Sequence, residues 1–368
     1  MFKAQTPPMG WNSWNKFLDK DDKADWNATT EKAVLAQARA LVDSGLAAAG
    51  YDTVVLDDGY QAVRRDHRGR IQAHPARFRS GIEYLSEEIH KLGLKFGIYL
   101  VPGSLTCGQQ YMDYHADNIG SLNHEEIDAQ TLSDWKVDFL KYDWCRAHIN
   151  DGLLAEPTFK KMADALSKFA PETTYSISEY GLFQSHLWAP AFANMWRTTD
   201  DLFAEWGSLK RTIELQIGLE SYSKPGHWND PDMLQIGNGT LSEVENRTHM
   251  IMWSILNAPL FAGNDLEKMS ESTRQILTHS GLIRINQDWG GQQGKLIQRN
   301  YGIQVWQKPN SDGTQAFAIM NETEEIKICV LESLNVDTTS WTDVWSNSSV
   351  QDNSIELEPH SAIMLIAQ

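Results

Sequence analysis

Five short apolar stretches of this sequence end on ionisable side chains. Asp57 and Asp58 close YDTVVLDD (51–58), and Lys141 and Asp143 close VDFLKYDWC (137–145). Glu179 closes TTYSISEY (173–180), Arg197, Asp200 and Asp201 follow ANMW, and Asp230 and Asp232 close KPGHWNDPD (224–232). Lys141 and Asp143 are two residues apart, so on a strand they share a face, and a cation there favours an ionised carboxyl. Asp200 and Asp201 are adjacent, which makes one of them a candidate for a raised pKa and a proton-donor role. An ionised and a protonated carboxyl across one bond is what glycoside hydrolysis requires. Carboxylates that accept hydroxyl protons, with Trp rings to cover an apolar sugar face, suit a neutral polyhydroxylated ligand.

Two other chemistries use similar residues. A metal-dependent hydrolase would use the same aspartates, but no His-x-His set closes any run, and His227 stands alone as a wall residue. A non-catalytic carbohydrate-binding protein would need the rings and hydroxyl ligands without the acid and nucleophile. No cofactor and no metal is expected. The three cysteines, Cys107, Cys145 and Cys329, form no CxxC pattern, so a structural zinc site is not expected either.

The elements that must position these residues follow from the periodicity. Further apolar runs lie at 8–14, 94–100 and 258–265, giving eight in all. Helix-like stretches lie between them at 29–49, 80–92, 155–169, 204–222, 242–257 and 270–285. In 29–49, Val34, Leu35, Ala38, Leu41 and Val42 share one face. Eight such units predict an α/β fold, a (β/α)8 TIM barrel, in which the strand ends converge on one catalytic face. After residue 288 the texture changes to alternating runs separated by Asn, Ser, Asp and Gly. The expectation is a barrel over 1–288 and an antiparallel β-sandwich over 289–368.

Bulk properties narrow the partners. With 368 residues, 41% hydrophobic residues and 14 Trp, the chain has ample material for a core. A formal charge of −17 argues against nucleic acid or an anionic membrane as partner. The N-terminal MFKAQTPPMGWNSW has no apolar core of a signal peptide. Oligomeric state is not readable.

The motifs PPMGWNSWN (7–15), LDDG (56–59), KFGIY (95–99), LTC (105–107), HEEIDAQT (124–131), FLKYDWC (139–145), WRTTDD (196–201), HWNDPDML (227–234) and INQD (285–288) resemble glycoside hydrolase family 27. That family contains α-galactosidases and α-N-acetylgalactosaminidases. The resemblance implies a (β/α)8 barrel followed by an antiparallel β domain. It implies a retaining mechanism with Asp143 as nucleophile and Asp201 as acid/base, acting on galactose-containing oligosaccharides or glycans. It further implies Asp57 and Asp58 as ligands of O4 and O6, and Trp14 as the ring under the sugar. Lys141 and Arg197 would bind hydroxyls, and Tyr99 and Met233 would wall the pocket. Cys107 and Cys145 match a disulfide beside the nucleophile, leaving Cys329 free; such a bridge would favour a secreted or periplasmic location.

The chain departs from the family pattern in three places. Ser178-Glu179-Tyr180 replaces the usual Cys-Glu-Trp in the loop that meets the C2 substituent. Leu-Val-Pro-Gly follows Tyr99, and Asp200 stands where a small residue is common. Glu179 and Leu182 are bulky enough to crowd an acetamido group, which favours galactose. N-acetylgalactosaminides, β-L-arabinopyranosides and isomalto-type glucans are the other family substrates to be weighed.

Overall fold

The computed structural model describes residues 3–18, 23–288, 290–334, 336, 338 and 340–367. Trp289 and Gln368, which bound the expected C-terminal domain, lie outside the described residues, as does Met1. The chain divides into two compact units. One contains Pro8–Asp200 and Gly263–Lys268; the other contains Asp201–Ala262, Met269–Gln368 and the residues just before Pro8.

The first unit is built on six parallel strands. They are β1 (Met9–Asn12), β2 (Thr53–Leu56), β3 (Lys95–Leu100), β4 (Phe139–Asp143), β5 (Thr174–Ser178) and β6 (Met195–Arg197). Each pairs with the next in sequence order, with Tyr99 opposite Lys141 and Asp143 opposite Ser178. β1, β2 and β6 are buried along their whole length, as strands covered on both faces must be. In β3, Gly97 is required by packing: a Cβ there would sit 2.8 Å from Val55 Cγ2 and 3.1 Å from Phe139 Cβ.

The helices carry the expected stripes, with shorter bounds. The stretch 29–49 is a helix over Glu31–Asp43, whose first turn is capped by the Thr30 side chain accepting the Ala33 N–H. It stops before Gly45, whose φ of +86° favours glycine. Val34, Leu35, Ala38 and Leu41 are buried, whereas Val42 lies at the edge of the stripe and is exposed. A helix over Glu125–Asp134 was not marked by apolar periodicity. Its inward face carries Asp128, fully buried and held by a bidentate contact from Arg65 at 2.6 and 2.8 Å. Burial pushes the Asp128 carboxyl up while Arg65 opposes that shift.

The second unit contains β7 (Trp228–Asp230) and β8 (Leu260–Ala262). Counted with the six strands above, they bring the described parallel-type strands to eight. Leu234, just beyond β7, forms a parallel bridge to Ala262 in β8. This is the strand set of a (β/α)8 barrel. The stretch 204–222 is α-helical over Trp206–Glu214 and ends in a 3-10 turn, Glu220–Tyr222, and 270–285 is two helices, Glu271–Leu277 and Ser280–Asn286. The helix Glu243–Ile255 begins with a reciprocal cap between Ser242 and Glu245. In the same unit Ala4 accepts from the Gly226 N–H at 2.9 Å and from Trp228 Nε1 at 2.8 Å, and Pro7 accepts from Gln287 Nε2 at 2.8 Å.

The C-terminal part of this unit is antiparallel β. β9 (Lys295–Asn300), β10 (Ile303–Pro309), β11 (Gln315–Asn321), β13 (Trp341–Asp343), β14 (Ser348–Val350) and β16 (Ala362–Ala367) form one sheet. β12 (Lys327–Val330) and β15 (Ser354–Leu357) form a second. Val305, Phe317, Ile319, Cys329, Leu357 and Leu365 pack as its core, so Cys329 is free and buried.

Candidate active site

The C-terminal ends of β2 and β4 meet through side chains. Asp57 Oδ2 accepts from Asn12 Nδ2 and from Lys141 Nζ, each at 2.7 Å. The Asp57 N–H donates to Ser13 Oγ at 2.9 Å, and Asp57 Oδ1 accepts the N–H of Asp58. Lys141 therefore crosses from β4 to β2, where its ion pair is with Asp57, and it lies 5.5 Å from the centre of the Tyr99 ring. Spacing placed Lys141 on the strand face of Asp143; its reach across the sheet to Asp57 is not readable from spacing.

Asp58 is buried beside it. Its carboxylate accepts from the N–H of Gly59 at 2.8 Å and of Gly108 at 2.7 Å. Burial raises its pKa to about 6, and the Gly108 N–H and Thr106 hydroxyl limit the rise. A Cβ at position 108 would sit 2.9 Å from Asp58 Oδ2, so glycine is what allows the backbone to come this close.

Asp143 ends β4 and is 5% exposed. Cys145 and Arg146 follow with φ of +41° and +56°, a conformation unusual for side-chain-bearing residues. Cys145 is bonded to Cys107 across a Cα–Cα distance of 5.1 Å, as the family resemblance implied. Cys107 Sγ lies 3.6 Å from Asp143 Oδ2 and 3.3 Å from the Tyr180 hydroxyl. The Tyr99 hydroxyl accepts the Cys107 N–H at 3.3 Å and lies 3.0 Å from Cys145 Sγ. Burial, with the Asp58 and Asp143 charges, pushes the Tyr99 phenol well up.

The loop after β5 is built by its glutamate. Glu179 is fully buried, and its carboxylate accepts the N–H groups of Phe183 and Ser185 at 2.5 and 3.1 Å. Burial raises its pKa against those hydrogen bonds. Ser178 is buried, and its carbonyl accepts the Trp144 N–H at 2.7 Å. Tyr180 takes φ of +62°, and the Arg197 guanidinium lies 5.9 Å from its ring centre. Gly181 follows at +72°, and a Cβ there would meet the Thr198 carbonyl oxygen at 2.3 Å. Leu182 is 61% exposed, so on this loop the glutamate is committed to the backbone and the leucine faces solvent. Arg197 is buried, with Nη2 donating to the Thr199 carbonyl at 3.1 Å. Trp14 is half-buried, with its N–H on Asn12 Oδ1.

In the second unit Asp201 is exposed, as is Asp200 in the first. The next residue, Leu202, donates its N–H to Asp232 Oδ2 at 2.8 Å. Asp232 has φ of +96°; its N–H donates to Asp230 Oδ1, its Oδ1 accepts the N–H of half-buried Met233, and its carbonyl accepts Trp253 Nε1. The positioning work of Asn12, Ser13, Thr106, Gly108 and Asp232 was not assigned from the sequence. All five lie in or beside the motifs WNSW, LTC and NDPDML. Among the described residues no helix is long and apolar enough to cross a membrane.

Two family profiles match the chain: α-galactosidase A over residues 6–288, and the α-galactosidase C-terminal β-sandwich domain over residues 300–367. An α-galactosidase of Cyamopsis tetragonoloba is 36% identical over 99% of this chain and 82% of its own length. α-Galactosidase A of Cellvibrio japonicus is 38% identical over 88% of this chain and 77% of its own length. The crystal structure of α-galactosidase I from Mortierella vinacea superposes with a TM-score of 0.88 at 28% identity, covering 100% of this chain and 98% of that one. With its strand-end carboxylates, (β/α)8 strand set and C-terminal β-sandwich, this chain belongs to the α-galactosidase A family and is a glycosidase.

Proposed function

We propose that the protein releases terminal α-linked galactose from oligosaccharides or glycans by a retaining double displacement. The observation that carries this reading is the Lys141–Asp57 ion pair. It ties the strand that ends in Asp143 to the strand that ends in two buried carboxylates suited to a pair of sugar hydroxyls. Asp143 attacks the anomeric carbon while Asp201 gives its proton to the glycosidic oxygen and the aglycone leaves. Asp201 then takes a proton from water, the water attacks the glycosyl ester, and galactose departs with its α configuration. Asp57 and Asp58 take O4 and O6, Lys141 and Arg197 take further hydroxyls, and Trp14, Tyr99 and Met233 shape the walls. Ser178, Glu179, Tyr180 and Leu182 form the loop at C2. The barrel ends and the sandwich begins near residue 289, and the Cys107–Cys145 bridge favours an oxidising compartment.

A panel of nitrophenyl glycosides tests the sugar: the α-galactoside should turn over fastest. Faster turnover of the α-N-acetylgalactosaminide, β-L-arabinopyranoside or α-glucoside would reassign the substrate within the same mechanism. NMR of the first product tests the stereochemistry: α-galactose is expected, and β-galactose appearing first would overturn the double displacement.

A further inference from the structure

The strongest observation outside the sugar chemistry is that Asp143 shares its corner of the first unit with both sulfurs of the disulfide. One ligand atom each from Cys107, Asp143 and Cys145 lies within 4.8 Å of the other two. We propose that the disulfide masks a thiophilic metal site, and that its reduction lets a Zn2+-like ion bind to both sulfurs and to the Asp143 carboxylate. A dithiol reductant supplies two electrons and two protons. The S–S bond breaks to give two thiols, and the reductant closes to its own disulfide. The metal ion then displaces both thiol protons to solvent and bonds two thiolates and one carboxylate oxygen, with water as fourth ligand.

The surroundings hold the sulfurs in place after reduction. The Tyr99 hydroxyl fastens the Cys107 backbone and touches Cys145 Sγ, and the Tyr180 hydroxyl touches Cys107 Sγ. Such phenol donors steady thiolate ligands from outside the metal's own shell. Cys145 is buried, whereas Cys107 is only half-buried, which gives a reductant its approach. The bound metal occupies the carboxylate assigned above to attack on the sugar, so metal binding and catalysis exclude each other. That last consequence alone rests on the proposed role of Asp143.

The test uses a Cys329→Ala background, so that only these two thiols are present. The protein is reduced with a dithiol, freed of it under nitrogen and titrated with Co2+. A thiolate-to-cobalt charge-transfer band should saturate at one ion per chain and bleach on addition of Zn2+. It should be absent before reduction and in Cys107→Ser, and Asp143→Asn should weaken the affinity about tenfold or more. Zn2+ should stop galactoside hydrolysis by the reduced protein and leave the oxidised protein untouched. No band, a band indifferent to Asp143→Asn, or a reduced protein that no longer melts cooperatively would each overturn the metal site. A band that responds to Asp143→Asn while Zn2+ leaves hydrolysis intact would uphold the site and overturn Asp143 as nucleophile.

Discussion

At Asp58 folding and function oppose each other. The unfolded carboxyl loses its proton near pH 3.8, whereas the buried one holds it to about pH 6. Between these values the folded chain binds more protons than the unfolded one, so stability falls as pH rises through that window. The cost at neutral pH is on the order of 3 kcal/mol. Asp58→Asn is therefore expected to melt above the parent at pH 7, with the gain vanishing near pH 4. Its kcat/KM on galactosides should fall by about a hundredfold or more if Asp58 has the hydroxyl-binding role proposed above. A melting gain of equal size at both pH values would refute the burial cost. For the proposed pair, Asp143→Asn should leave no turnover of any substrate. Asp201→Asn should lose about 10²–10⁴-fold on oligosaccharides and far less on nitrophenyl substrates, which need little protonation. If Asp200→Ala is as damaging as Asp201→Asn, the roles are misassigned. Clusters of aspartate at strand ends were legible in the sequence because strand alternation and barrel geometry both point them one way. The Lys141–Asp57 pair was not, since a lysine stem spans strands that lie 84 residues apart in the chain.

Among the elements, the segment after β6 is held by Gln235, Ser208 and one carboxylate. Asp232 accepts the N–H of Leu202, directly after Asp201, and so helps to position that segment. Asp232→Ala is expected to lower kcat on oligosaccharides about tenfold or more, while nitrophenyl galactoside turnover changes little. Equal losses on both substrates would point to a general loss of structure. The loop after β5 gives a sharper test of backbone. Gly181→Ala must relieve a 2.3 Å contact with the Thr198 carbonyl and a positive φ together, so a loss of about 1–3 kcal/mol in stability is expected from denaturant unfolding. Most elements were readable from apolar periodicity, including the eight strands. The helix Glu125–Asp134 was hidden because part of its buried face is charged, with Asp128 satisfied by Arg65 instead of by apolar contacts. The breaks within 204–222 and 270–285 were hidden too, because apolar spacing persists through them.

Across the whole molecule, His249 sets an acid limit. It is fully buried on Glu243–Ile255 with its ring edge-to-face on Trp253 at 4.1 Å, and burial lowers its pKa to about 3. Below its ordinary pKa of 6.5 the unfolded chain takes up a proton that the folded chain refuses. Stability should therefore drop by about 1.4 kcal/mol per pH unit from pH 6.5 towards 3. His249→Leu should flatten that slope in urea midpoints measured from pH 6 to 4; an unchanged slope would assign acid loss to other groups. The contacts of Ala4 and Pro7 carry a different consequence, one of timing. The bonds from Trp228 to Ala4 and from Gln287 to Pro7 span 224 and 280 residues. During synthesis Ala4 and Pro7 therefore wait for these partners until Trp228 and Gln287 have been added. Closure over so long a separation is slow, and it leaves incomplete chains open to chaperones and proteases in the meantime.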